Sequence, residues 1–170
     1  MYKRQFIGFG TKAGFVPFHN WLPDAHPAAP THVSAIMSGV MIKTGIYGIL
    51  RVLSIIGIPS KAIAYGVLII SVISALYGVL YAITQHDLKR LLAYHSIENI
   101  GIIGIGLGVG MLGLAYNAPI LVLAGFAGGI LHILNHSIFK ELLFLSAGSV
   151  YIKTHTRNVC LLYTSDAADE

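Results

Sequence analysis

Apolar residues along this chain gather into five runs separated by short polar connections, and the length of each run predicts its element. Residues 31–56, 62–84 and 91–116 are long enough to cross a bilayer as helices, because about 20 apolar residues rising ~1.5 Å each match the hydrocarbon core. Stretch 63–84 carries no charged residue at all. The first run, 6–21, is a partial span containing Pro17, which lacks a backbone donor and predicts a broken helix. The last run, 118–151, is longer than a simple span requires, and the His136-Ser137 pair in its middle predicts a second interruption near 135–137. Helices are broken at membrane depth only where the freed backbone is buried in protein or lines a wet cavity, so these two runs are the expected channel-lining elements. The expected fold is an all-α polytopic transmembrane helix bundle of about five spans, with broken first and last segments.

Composition supports the membrane class. Hydrophobic residues make up 55% of the 170 and charged residues 11%, with a mean hydropathy of +0.74, far from the roughly 25% charge of a soluble domain. The net charge of +4 comes from Lys and Arg scattered at segment ends, and nucleic-acid binding would need a clustered basic face. Residues 1–5 lead straight into an apolar run without a small-residue cleavage pattern, so they do not read as a signal peptide. Connections 23–30, 86–90 and 153–157 fall on one side of the bilayer, and Arg51 and Lys61 on the other. The positive-inside rule then makes the Lys89-Arg90 side cytoplasmic. Gly101, Gly104, Gly106, Gly108 and Gly110 crowd the fourth run. Their GIGLGVG wording superficially suggests a dinucleotide fingerprint, but without a strand-turn-helix context it reads as a helix-packing face.

Four ionisable residues, Lys12, Lys43, Glu98 and Lys140, interrupt these apolar runs. A charge at membrane depth costs from about 3 to more than 10 kcal/mol, so such residues normally face the bundle interior and mark an ion or proton path. Lys43 lies near the middle of its run, too far from either end for its stem to reach an interface, and needs a buried partner or water. His132, His136 and Lys140 recur at i, i+4 and i+8 and form one stripe, a candidate proton relay because imidazoles titrate near neutral pH. Zinc chelation is the rival for the two histidines, but a third ligand and the glutamate of an HExxH motif are missing, so no metal site is expected. Glu98 follows Tyr94 and His95 by one turn; it is either a second carboxylate in the path or a hydrogen-bond partner that holds helices in register. Lys12, five residues before Pro17, is either a carrier or a lysine snorkelling near a helix end. Anchoring explains Asp87, Lys89 and Arg90, and a loop at the membrane surface explains Trp21, Asp24, His26 and Pro30.

Three blocks carry a family resemblance: GFGTKAGFVPFHNWLPDAHPAAPTHVSAIMSGVMIKTGIYGILR at 8–51, HDLKRLLAYHSIENIG at 86–101 and HILNHSIFKELLFLSAGSV at 132–150. Together they resemble the antiporter-like membrane subunits shared by NADH:quinone oxidoreductase, membrane-bound hydrogenases and multisubunit cation/proton antiporters. The MSGVMIKTGIYGILR and YHSIENIG wording is most similar to the hydrogenase-4 and formate hydrogenlyase branch. The resemblance implies a bundle of about fourteen helices, of which this chain would hold the middle five. It also implies a proton-carrying Lys12 whose glutamate partner lies on an earlier helix, and a second proton-path lysine at Lys43. The implied role is proton or sodium translocation within a redox-driven pump of a bacterial or archaeal inner membrane. Other membrane subunits, a peripheral redox arm and the lipid bilayer are the expected partners. No flavin, iron-sulfur, haem or nicotinamide motif is present, so no cofactor is expected here and the electron chemistry is expected on other polypeptides. Two other readings remain: a cation/proton antiporter subunit without redox partners, and a structural membrane anchor whose charges only fix packing. Glu141, about 100° around the helix from Lys140, departs from the family, which generally carries a small residue there; it is a subfamily charge partner or a sequence error.

The two ends implicate each other. One codon choice for residues 160–165, TGT CTC TTA TAC ACA TCT, has a reverse complement that reads Met-Tyr-Lys-Arg-Gln from its GTG, which is residues 1–5. Such an inverted repeat resembles a transposon-end adapter carried into a conceptual translation. The expectation is that 1–5 and 160–170 are adapter-derived and that 6–159 is a proton-translocating transmembrane domain, an internal fragment of a longer protein. The alternative is a short native head and an acidic tail.

Overall fold

In the computed structural model, the described residues, 2–165, form helices joined by short connections. Helices α1 (Tyr2–Ala13) and α2 (Trp21–Ala28) come from the first run and the connection after it. The second run is α3 (Thr31–Ile36), a π turn (Met37–Met41) and α4 (Ile42–Ile56). Then come α5 (Lys61–Ile83), α6 (Leu88–Ala115), α7 (Pro119–Thr154) and the short α8 (Val159–Ser165). Four units, Thr31–Ile56, Lys61–Ile83, Leu88–Ala115 and Pro119–Thr154, are long and apolar enough to cross a membrane. The chain is therefore an all-α membrane bundle with four full-length spans beside a broken first segment. Of the ends read as adapter-derived, Met1 and residues 166–170 lie outside the described residues.

Helix α6 is the axis of the bundle, and its glycines explain why. On one side a Cβ at Gly108 would stand 2.9 Å from the Leu68 Cα of α5; on the other a Cβ at Gly106 would stand 2.8 Å from the Gly129 Cα of α7. Lipid supplies no hydrophobic drive between helices, so this close backbone approach and the dispersion it permits hold them together. The GIGLGVG run is a mid-helix packing seam. Ile97, Ile100, Ile103 and Leu107 of α6 close the core against Phe15, Leu22, Ile42 and Ile46.

The first run breaks where Pro17 predicts. Helix α1 ends at Gly14, whose φ of +92° suits glycine alone, and Pro17 follows on a cis peptide bond. The break is closed by Trp21 Nε1, which donates to the Thr11 carbonyl at 2.9 Å, and by the Val16 amide, which donates to Ser74 Oγ at 3.0 Å. The interruption expected at 135–137 is absent, since α7 runs unbroken from Pro119 to Thr154. Neither Gly nor Pro occurs between 130 and 147, and Ser137 turns its hydroxyl back onto the Ile133 carbonyl at 2.8 Å, inside the helix. Backbone irregularity at membrane depth falls instead on the second run, as the π turn.

Connections 23–30, 86–90 and 153–157 meet at one end, as their alternation predicts. Lys89 Nζ donates to the Ala29 carbonyl at 2.7 Å, Arg90 pairs with Asp24 at 2.7 Å, and Arg157 donates to the Pro27 carbonyl at 2.8 Å. Asp87 caps α6 by accepting the Lys89 and Arg90 amides at 2.9 and 3.0 Å. At the opposite end Lys61 Nζ stands 4.1 Å over the Tyr116 ring.

Candidate functional site

The π turn places Lys43. One extra residue in the turn shifts the hydrogen-bond register, and Lys43 Nζ donates to the carbonyl of Ser38. Lys43 is 7% exposed. The Ser38 hydroxyl reaches across to the Ser96 hydroxyl of α6 at 2.8 Å, and Ser96 donates to the Leu92 carbonyl at 3.0 Å. That same carbonyl accepts Lys140 Nζ from α7 at 2.9 Å, with Lys140 1% exposed. Two buried lysine amines are thus joined through the carbonyl and hydroxyl of Ser38, the Ser96 hydroxyl and the Leu92 carbonyl, across three membrane-spanning units.

The histidine stripe flanks this row. His132 Nε2 lies 2.9 Å from Asn99 Oδ1, while Asn99 Nδ2 donates to the His95 carbonyl at 2.7 Å. The amide oxygen of Asn99 is therefore the acceptor, and His132 carries its proton on Nε2. His136 is fully buried, its ring centroid 6.4 Å from that of His132, and neither of its nitrogens has a hydrogen-bond partner among the described residues. A buried imidazole without a hydrogen-bond partner carries a desolvation cost. Glu98 pairs with His95 at 2.5 Å and is close enough to act electrostatically on His132 and Lys140.

His26 of α2 lies outside the four spans, fully buried and stacked on Phe144 of α7 at 4.7 Å between centroids. Burial, and then the ammonium groups of Lys140 and Lys89, push it down to about 4, so it is neutral at physiological pH.

The structure brings Lys43, His132, His136, Lys140 and Glu98 around α6, with His136 and Lys140 buried, His132 on Asn99 and Lys140 on the Leu92 carbonyl. Lys12 stands apart, exposed on the last turn of α1, and Pro17 marks the break after it. Ser38, Ser96 and Asn99 escaped the reading from sequence because small neutral polar residues are ordinary in membrane helices. Their signal was one of position: Ser38 stands five residues before Lys43, and Ser96 and Asn99 flank Glu98.

Residues 4–164 match the family described as NADH:quinone oxidoreductase/Mrp antiporter, TM. Hydrogenase-4 component B of Escherichia coli (strain K12) is 51% identical over 157 residues, covering 91% of this chain and 23% of that protein. Formate hydrogenlyase subunit 3 of the same organism is 46% identical over 155 residues, covering 90% and 25%. NADH-quinone oxidoreductase subunit M of Rickettsia felis is 38% identical over 155 residues, covering 91% and 29%. The chain thus spans about a quarter of the length of the curated relatives it matches. Among solved structures, a chain of the membrane-bound sulfane sulfur reductase, an archaeal respiratory membrane complex, aligns with a TM-score of 0.77 at 27% identity, covering 89% of this chain and 29% of that one. This chain, with its bundle wrapped around a glycine-seamed α6, belongs to the NADH:quinone oxidoreductase/Mrp antiporter transmembrane family.

Proposed function

We propose that this chain moves protons, or sodium ions, across the membrane as part of an antiporter-like subunit in a redox-driven pump of the hydrogenase-4 or formate hydrogenlyase kind. The observation that carries the reading is the pair of buried lysines, Lys43 and Lys140, linked through Ser38 and Ser96. A lysine at a low-dielectric site releases its proton far more readily than one in water, whereas an arginine there stays charged. The Ser38 and Leu92 carbonyls that hold the two lysines accept hydrogen bonds but cannot pass protons on, so water bridges the remaining gaps. His132, His136 and Glu98 extend the row along α6 and α7, and Lys12, exposed on α1, takes its carboxylate on this reading from outside these residues. We assign this activity to residues 6–159. The electron chemistry, on this reading, resides on a peripheral arm and reaches the lysines electrostatically through partner membrane subunits. The complex lies in a bacterial or archaeal inner membrane, with the Lys89-Arg90 end facing the cytoplasm.

The test is proton uptake by vesicles carrying the complete subunit in its complex. Lys43→Ala abolishes uptake while assembly persists, and Lys43→Arg assembles but transports poorly. Full transport in the arginine variant refutes proton cycling at this residue, and full transport in both supports the structural-anchor reading instead.

A further inference from the structure

Lys140 and Glu141 are sequence neighbours, so their side chains leave α7 about 100° apart. Lys140 turns to α6 and the Leu92 carbonyl. Glu141 turns to the π turn and lies directly on Gly39: a Cβ there would collide with its carboxylate, standing 2.6 Å from Cδ. Gly39 precedes Lys43 by four residues, and both line a groove whose opposite wall includes Ile133 and Ser137, the latter one turn before Glu141 on α7. The absence of a side chain at Gly39 is what lets the carboxylate approach this closely.

The charges around the two lysines point the same way. The carboxylate seated on Gly39 lies about one helical turn from Lys43, without a direct ion pair between the two, while the carboxylate of Glu98 on α6 is taken by His95 at 2.5 Å. We propose that Glu141, seated on Gly39 of the π turn, is the counter-charge that positions and balances Lys43 in this chain. This rests on the ion-translocation reading above.

A charge pair affects stability in a way that a packing role does not. Removing one of two opposite charges that balance each other inside the bundle leaves the other uncompensated, so each single change is costly while the double change is milder. The complete subunit is expressed within its complex as the parent, Glu141→Gln, Lys43→Gln and the double variant. Thermal midpoints of the purified complexes and proton uptake by reconstituted vesicles are read together. Both single variants melt below the parent, and the double variant melts above the lower of the two. Uptake in Glu141→Gln falls about tenfold or more, and Glu141→Asp, which keeps the charge on a shorter stem, recovers a substantial part of it. Additive losses of midpoint, or parental uptake in Glu141→Gln where Lys43→Gln loses uptake, overturn the proposal. Should Glu141→Gln fail to assemble, Gly39→Ala, which displaces the carboxylate without removing it, decides the same question: uptake falls if the seat matters, and parental uptake overturns the proposal. Parental uptake in Lys43→Gln with a non-additive midpoint keeps the pairing and rejects ion translocation, so the two failures are separable.

Discussion

The Ser38–Ser96 contact connects α6 to the segment carrying Lys43, and its removal has a calculable cost. Both side chains are fully buried and their hydroxyls lie 2.8 Å apart. Hydrogen bonds between membrane helices average about 0.6 kcal/mol and reach about 1.7 kcal/mol. Full burial puts this pair in the upper half, about 1 to 1.7 kcal/mol. Ser96 keeps its 3.0 Å bond to the Leu92 carbonyl when Ser38 is truncated, so Ser38→Ala leaves no orphaned hydroxyl and adds no further penalty of about 1 to 3 kcal/mol. The assay is a double-mutant cycle of Ser38→Ala and Ser96→Ala in the complete subunit, unfolded by denaturing detergent. A coupling of about 1 kcal/mol or more corresponds to about a fivefold change in the equilibrium constant. Additivity within about 0.3 kcal/mol, the scatter of independent sites, refutes the bond and with it the link between Lys43 and α6.

Gly106→Leu forces α6 from α7, because even a Cβ would stand 2.8 Å from the Gly129 Cα; it costs about 1 to 3 kcal/mol and lowers the yield of assembled complex, whereas Gly128→Ala, with nothing within 4 Å, is tolerated. His26 makes stability pH-dependent with a defined sign. Its folded value, about 4, lies below the 6.5 of a free imidazole, so the unfolded chain binds the extra proton and stability falls as pH drops from about 6.5 toward 4. His26→Phe removes that component, and the melting midpoint of the complex between pH 7 and 5 shifts less than in the parent; an identical shift refutes it.

Lys43 and the His132-His136-Lys140 stripe were legible because charge in an apolar run and i, i+4 spacing are local properties of the chain. The break at Pro17 was legible for the same reason, a missing donor. The π turn was not, since its residues, Met-Ser-Gly-Val-Met, satisfy ordinary helix rules and what meets the turn comes from outside it, Ser96 bonded to Ser38 and Glu141 lying on Gly39. The reverse error occurred at 135–137, where a polar pair suggested a break but Ser137 bonds back to Ile133. Glu141 illustrates the limit most directly: helical geometry sets its direction relative to Lys140, but only the packing of α7 on the π turn reveals Gly39 beneath it.

If ions cross this bundle by way of Lys43 and Lys140, replacing the buried amine at the far end of the row must interrupt them. Lys140→Met preserves length and apolar stem while removing the donor to the Leu92 carbonyl. In vesicles carrying the intact complex, electron transfer and proton uptake are recorded side by side. Uptake per electron is expected to fall in Lys140→Met, with assembly retained. An unchanged ratio of protons to electrons would mean that ions do not pass through this row.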